Sequence, residues 1–139
     1  LMVPSEVHAA LVQEPGIAAV LELAGRADLA LVGIGAVEPE QSSLVRGGFL
    51  SPEEAAEITR RGAAGDICGQ AYFLDGGLCP SPSSRKVVGL SLDELRQIPC
   101  IIGVAGGEAK ARAIAGALRG RHVNYLIADS KAAEAVLKT

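Results

Sequence analysis

Residues 99–120, PCIIGVAGGEAKARAIAGALRG, constrain the fold more than any other stretch. The apolar run 100–104 reads as a buried strand, Ala105-Gly106-Gly107 as a turn, and residues 108–119 as a helix. A strand that ends in a glycine turn and feeds a helix gathers free backbone N–H groups at the positive end of the helix dipole. Lys110 falls in the first turn of that helix, poor electrostatics unless an anion docks there. Gly106, Gly107 and Lys110 are therefore a candidate anion site, with a phosphate on a small metabolite as its occupant. The two glycines also have a packing use, since they let helix and strand approach closely, and both uses stay open. The run lacks the full G-x-G-x-x-G and the GK[ST] ending, so it is not a nucleotide fingerprint.

The same alternation recurs along the chain. Residues 28–35 form a continuous apolar run ending in glycines, which reads as a buried parallel strand followed by a loop. Ligands sit at the carboxyl ends of such strands, which makes Gly33 and Gly35 candidates for a pocket wall; a plain crossover loop is the alternative. Residues 122–129 read as a further buried strand. Helices are expected over residues 5–13 with Ser5 as cap, 15–27 with Pro15 at the first position, 52–62, 92–97 and 131–138 with Ser130 as cap. Ser51–Glu54 and Ser91–Glu94 are capping boxes. Ile17, Val20, Leu21 and Ala24 recur at helical spacing and predict a helix packed on a sheet. Residues 64–74 read as a strand turning at Asp75-Gly76-Gly77, with residues 80–84 as loop and 86–90 as the antiparallel return strand. Strands alternating with helices predict an α/β fold with a mainly parallel sheet, flanking helices and a small antiparallel hairpin.

Composition supports one aliphatic domain. Of 139 residues 49% are hydrophobic but only 3% aromatic, so the core is built from Ala, Val, Ile and Leu. The net charge of −3 and the absence of a basic cluster interleaved with aromatics argue against nucleic-acid binding by these residues themselves. No apolar run is long enough for a membrane helix. Cys68, Cys79 and Cys100 are odd in number, without CxxC spacing, and fit a reducing cytoplasm.

Among single residues, Asp66 needs a reason, because Asp is depleted in strands. It either bonds backbone N–H groups in a turn or accepts hydrogen bonds from ligand hydroxyls; the sequence leaves both open. Arg85 is a surface ion-pair partner or a phosphate fork. Cys68 lines a pocket beside Asp66 or fills space. His8 and His122 have no carboxylate or Cys at ligand spacing, so no metal site, catalytic base or cofactor is expected.

Three blocks, Gly65-Asp66-Ile67-Cys68-Gly69, Arg85 with Val88-Gly89-Leu90, and Gly103-Val104-Ala105-Gly106-Gly107 with Lys110, resemble the SorC family of bacterial sugar-responsive transcriptional regulators in order and spacing. The resemblance lies in their carboxy-terminal effector-binding domain and covers nearly the whole chain. It implies a Rossmann-like fold similar to glucosamine-6-phosphate deaminase, ribose-5-phosphate isomerase and CoA transferases. It also implies a phosphorylated sugar as effector, with Lys110 at the phosphate and Asp66 near sugar hydroxyls. Family proteins act as homo-oligomers on operator DNA through an amino-terminal helix-turn-helix. The expectation is thus that residues 1–139 are an effector-binding domain and a fragment, the helix-turn-helix and the first part of the effector domain lying outside it. An enzyme of the same fold, a phosphosugar isomerase or deaminase, is the alternative, and Asp66 would be its base. A purely structural oligomerisation domain is a third reading.

Overall fold

The computed structural model describes residues 2–81 and 86–139. Two helices open the chain, α1 (Ser5–Gln13) and α2 (Pro15–Gly25), followed by β1 (Leu29–Gly35). A short α3 (Ser43–Arg46) and α4 (Pro52–Arg60) lead to the hairpin β2 (Ala63–Ile67) and β3 (Gln70–Phe73). Then come α5 (Leu92–Leu95), β4 (Cys100–Val104), a 3-10 turn (Glu108–Lys110), α6 (Ala111–Arg119), β5 (Tyr125–Ile127) and α7 (Ser130–Val136). The five strands form one sheet in the order β3-β2-β1-β4-β5. β1, β4 and β5 run parallel, while β2 is antiparallel to β1 and to β3. The α/β fold with a parallel core and an antiparallel extension is the one expected.

The caps explain most helix boundaries. Ser51 and Ser91 each form a complete capping box, with Glu54 and Glu94. Pro15 takes the first position of α2, where its missing N–H costs nothing. Two expected caps differ. Pro4, not Ser5, precedes α1 and offers no side-chain bond. Asp129 caps α7 in place of Ser130, accepting from the Ala132 N–H at 2.8 Å.

The hairpin also differs from the expectation. The strand expected over residues 64–74 is broken at Cys68-Gly69, where both residues have positive φ (53° and 77°). Two consecutive left-handed residues make the tight turn that matches strand twist, so the return strand is Gln70–Phe73. Asp75-Gly76-Gly77 does turn, Gly76 N–H donating to Phe73 O, but it leads only to an isolated bridge between Leu78 and Tyr72. Residues 86–90 form no strand; Val87 makes a single antiparallel bridge, to Met2.

Helix α6 covers one face of the sheet. Ile34, Ile67, Tyr72, Ile101 and Ile114 form the core there with Leu92 and Leu95. The opposite face of the parallel strands is open: Leu31 is 65% exposed and Ile127 57%. The strands read from their apolar runs as buried are thus covered on one face only. Likewise α2 buries no side chain, and its Val20 points outward. A second small cluster (Val37, Leu50, Ile58, Ala63, Ala71, Cys79) holds α4 against the hairpin. The three cysteines are free thiols. Among the described residues no single helix is long and apolar enough to cross a membrane.

Candidate functional site

A cavity of about 570 Å³ opens at the carboxyl ends of β1 and β4, bounded by the β2–β3 turn and residues 87–90. Its floor is the end of β1, with Gly33, Ile34 and Gly35, and Val104 at the end of β4. This is the position at which open parallel sheets bind ligands.

Asp66 enters the cavity from β2, one of five consecutive buried residues. The register sets Asp66 opposite Gly35. A Cβ at residue 35 would overlap Asp66 Oδ1, so only glycine there leaves room for the carboxylate. Asp66 Oδ2 accepts from the Gly69 N–H at 3.1 Å, while Oδ1 is buried and without a hydrogen-bond partner among the described residues. Burial pushes its carboxyl up to about 6, opposed by the Gly69 bond and the Lys110 charge. A carboxylate oxygen buried without a hydrogen-bond partner is costly, and Oδ1 is packed against Gly35.

Lys110 reaches the same cavity from the other side. The 3-10 turn after Gly107 aims its side chain back across β1, where Nζ donates to the Ile34 carbonyl at 2.6 Å. Cys68 lines the cavity from the hairpin turn, and desolvation followed by the Asp66 charge raises its thiol above the usual range.

The sequence-predicted site residues therefore fall into three sets. Gly33, Gly35, Asp66, Cys68 and Lys110 come together on one cavity. Gly106 and Gly107 do not line it. The Gly107 N–H, at a positive φ of 87°, is taken by Asp129 Oδ2 at 2.6 Å, an internal carboxylate seated where an external anion was expected. Those backbone bonds, from Ala132 first and then Gly107, hold the Asp129 carboxyl below its usual range. Arg85 lies outside the described residues, as does the loop expected at 82–84.

Ser43 and Phe49, not named as site residues from the sequence, also line the cavity, as do residues 87–90, which the sequence reads as a return strand and in part as a family block. The pair Gly47-Gly48 before Phe49 was the available signal: Gly48 has φ 71°, and a Cβ at Gly47 would lie 2.9 Å from the Phe49 ring. Asp129 was legible only as a strand end.

This arrangement meets the comparisons with known proteins. A family model described as "Putative sugar-binding domain" matches residues 2–138. The transcriptional regulator LsrR of Klebsiella pneumoniae subsp. pneumoniae is 42% identical over 137 residues, covering 96% of this chain and 42% of the relative. The sorbitol operon regulator of Klebsiella pneumoniae is 40% identical over 116 residues, covering 80% of this chain and 35% of its own length. The crystal structure of the full-length sorbitol operon regulator SorC from Klebsiella pneumoniae matches with a TM-score of 0.87 at 32% identity, over 98% of this chain and 44% of that one. The chain thus spans less than half the length of these relatives. The match of the family model to residues 2–138, the identity to these regulators and the fold shared along nearly the whole chain place these residues with the sugar-binding domains of the SorC family, and the chain belongs to that family.

Proposed function

We propose that these residues are the effector-binding domain of a bacterial transcriptional regulator, and that the cavity binds a phosphorylated sugar. The observation that carries the reading is Asp66, a side chain that lines the cavity and whose buried Oδ1 has no hydrogen-bond partner among the described residues. A sugar hydroxyl donates to it, satisfying a group whose exposure to nothing is costly. Lys110, on the other side of the same cavity, is the cation among the described residues that lines it and would meet the phosphate. Gly106, Gly107 and Arg85 remain expected phosphate contacts; for Gly107 this requires the ligand to displace Asp129 from its N–H. The relatives named as transcriptional and operon regulators support the output: occupancy shifts a homo-oligomer in the cytoplasm between states of different affinity for operator DNA, read by a helix-turn-helix outside these residues. The effector acts only through its differential affinity for those states.

A binding module is favoured over an isomerase or deaminase. Such chemistry needs a general base and a matching acid within reach of one substrate. Among the described residues, the titratable groups lining the cavity besides Asp66 are Lys110, whose ammonium is engaged on Ile34 O, and Cys68, and the relatives named as regulators support the binding reading.

The test is a thermal-shift screen of sugar phosphates and their unphosphorylated parents on the full-length protein and on Lys110→Met. Stabilisation should follow RT ln(1 + [L]/Kd). We expect phosphorylated sugars to stabilise the wild type and the variant to respond at least tenfold more weakly. Equal responses to phosphorylated and free sugars would remove the phosphate from the reading, and an undiminished response in the variant would remove Lys110.

A further inference from the structure

Gly107, between β4 and the 3-10 turn, is engaged at both of its backbone polar groups. Its N–H donates to Asp129 Oδ2 at 2.6 Å, and its carbonyl accepts from the Lys110 N–H at 3.1 Å. Lys110 in turn donates from Nζ to the Ile34 carbonyl at 2.6 Å, on the floor of the cavity. Three hydrogen bonds thus run in series from the start of α7, through the 3-10 turn, to the end of β1. Asp129 is anchored by its other oxygen, Oδ1 accepting from the Ala132 N–H at 2.8 Å. One carboxylate therefore caps α7 and holds a turn 22 residues away.

The residue types along this series fit that task. Gly107 takes a positive φ of 87°, which lets the chain leave β4 sharply and enter the 3-10 turn. A Cβ at residue 106 would lie 2.7 Å from Asp129 Oδ2, so glycine there leaves the carboxylate its seat. A carboxylate carries two acceptor oxygens and can serve both N–H groups at once, whereas a hydroxyl has one oxygen. A lysine side chain is long and loses much rotamer freedom when an anion binds it. A fixed turn at its base lowers that cost, because the backbone that carries the ammonium is already in place.

We propose that Asp129 is a positioning residue of the cavity: by holding the Gly106-Gly107 turn it fixes the 3-10 turn that carries Lys110 to the end of β1. Asp129 does not line the cavity and acts through Lys110. The use of that placement for a phosphate rests on the sugar-binding reading above. The same carboxylate would have the opposite effect if a phosphate had to displace it from the Gly107 N–H. Gly106 and Gly107 stand off the cavity lining while Lys110 stands on it, which favours positioning.

The first measurement needs no ligand. Competitive acetylation of the full-length protein with acetic anhydride, read by mass spectrometry, reports how firmly each lysine amine is held. Asp129→Ser keeps a capping side chain on α7 and gives up the bond to Gly107. In it Lys110 should be labelled about three- to tenfold faster, with the exposed Lys138 unchanged. Gly106→Ala, which pushes the carboxylate off its seat, should do the same. The second measurement is titration calorimetry with ribose 5-phosphate, glucose 6-phosphate and fructose 6-phosphate. Whichever of these bind the wild type should bind Asp129→Ser about three- to tenfold more weakly, and adding Asp129→Ser to Lys110→Met should change affinity by less than about twofold. Unchanged Lys110 labelling in either variant overturns the proposal, as does wild-type affinity in Asp129→Ser or a full further loss on the Lys110→Met background. Tighter binding by Asp129→Ser also overturns it, since that is the mark of a carboxylate competing with the phosphate. Faster labelling of Lys110 with no binding of any of the three sugar phosphates by the wild type keeps Asp129 as the residue that places Lys110 and overturns the phosphate reading alone.

Discussion

Asp66 is held at a cost that the fold does not recover by itself. Its carboxyl, raised by burial to about 6, is favoured by the folded state in its protonated form. That contribution is fully present below about pH 4 and is lost as pH rises through 6. A shift of this size is worth about 3 kcal/mol at most. Denaturant titrations of the wild type and Asp66→Asn between pH 4 and 7 should therefore show the wild type losing stability relative to the variant across that window. Parallel curves would mean that burial does not penalise the carboxylate. A ligand hydroxyl that donates to ionised Asp66 should in turn bind more tightly as pH rises through about 6. Gly35 is the other half of the arrangement. Gly35→Ala drives a methyl into Asp66 Oδ1 and should cost about 1–3 kcal/mol, with the ligand response lost as the carboxylate moves. A variant with wild-type stability and binding would show that the carboxylate has room elsewhere.

At the scale of elements, helix α6 is pressed onto the hairpin more closely than its sequence alone suggests. A Cβ at Gly116 would lie 2.8 Å from the Phe73 carbonyl and 3.0 Å from the Tyr72 ring. Helix propensity alone says Gly116→Ala stabilises by about 1 kcal/mol. Packing against backbone reverses the sign, and we expect a net loss of about 1–3 kcal/mol in denaturant unfolding; a gain would mean that α6 can retreat from the sheet. The periodic segments were legible because caps and glycines punctuate them: Ser51, Ser91 and Pro15 each mark a helix start where the structure has one. The β2–β3 turn was not legible, because Cys68 adopts a left-handed conformation that a non-glycine residue rarely signals. For the site, the carboxyl ends of β1 and β4 could be read from apolar runs ending in glycine. The reach of Lys110 to Ile34 could not, since it depends on a 3-10 turn where a regular helix was expected. Nor could the capture of Gly107 by Asp129, a contact across 22 residues.

The whole molecule is a sheet with one covered face. β1 alternates strictly, Ile34 buried and Leu31 exposed, although parallel sheets are ordinarily covered on both sides. The two faces should separate in a mutational test on these 139 residues: Ile34→Ala is expected to cost about 2–5 kcal/mol, and Leu31→Ser within about 0.5 kcal/mol of zero. Similar losses at both positions would show that the second face is packed in solution. What the covered face achieves is to place strand ends, hairpin turn and the 3-10 turn around one cavity. The most direct test of that cavity as the sugar site is calorimetric titration of the strongest ligand from the screen into the full-length wild type, Asp66→Asn and the exposed-surface control Glu22→Gln. The account predicts a ten- to hundredfold weaker Kd in Asp66→Asn, the loss expected when one charge-assisted hydrogen bond is replaced, and wild-type affinity in the control. Wild-type affinity in Asp66→Asn would contradict it.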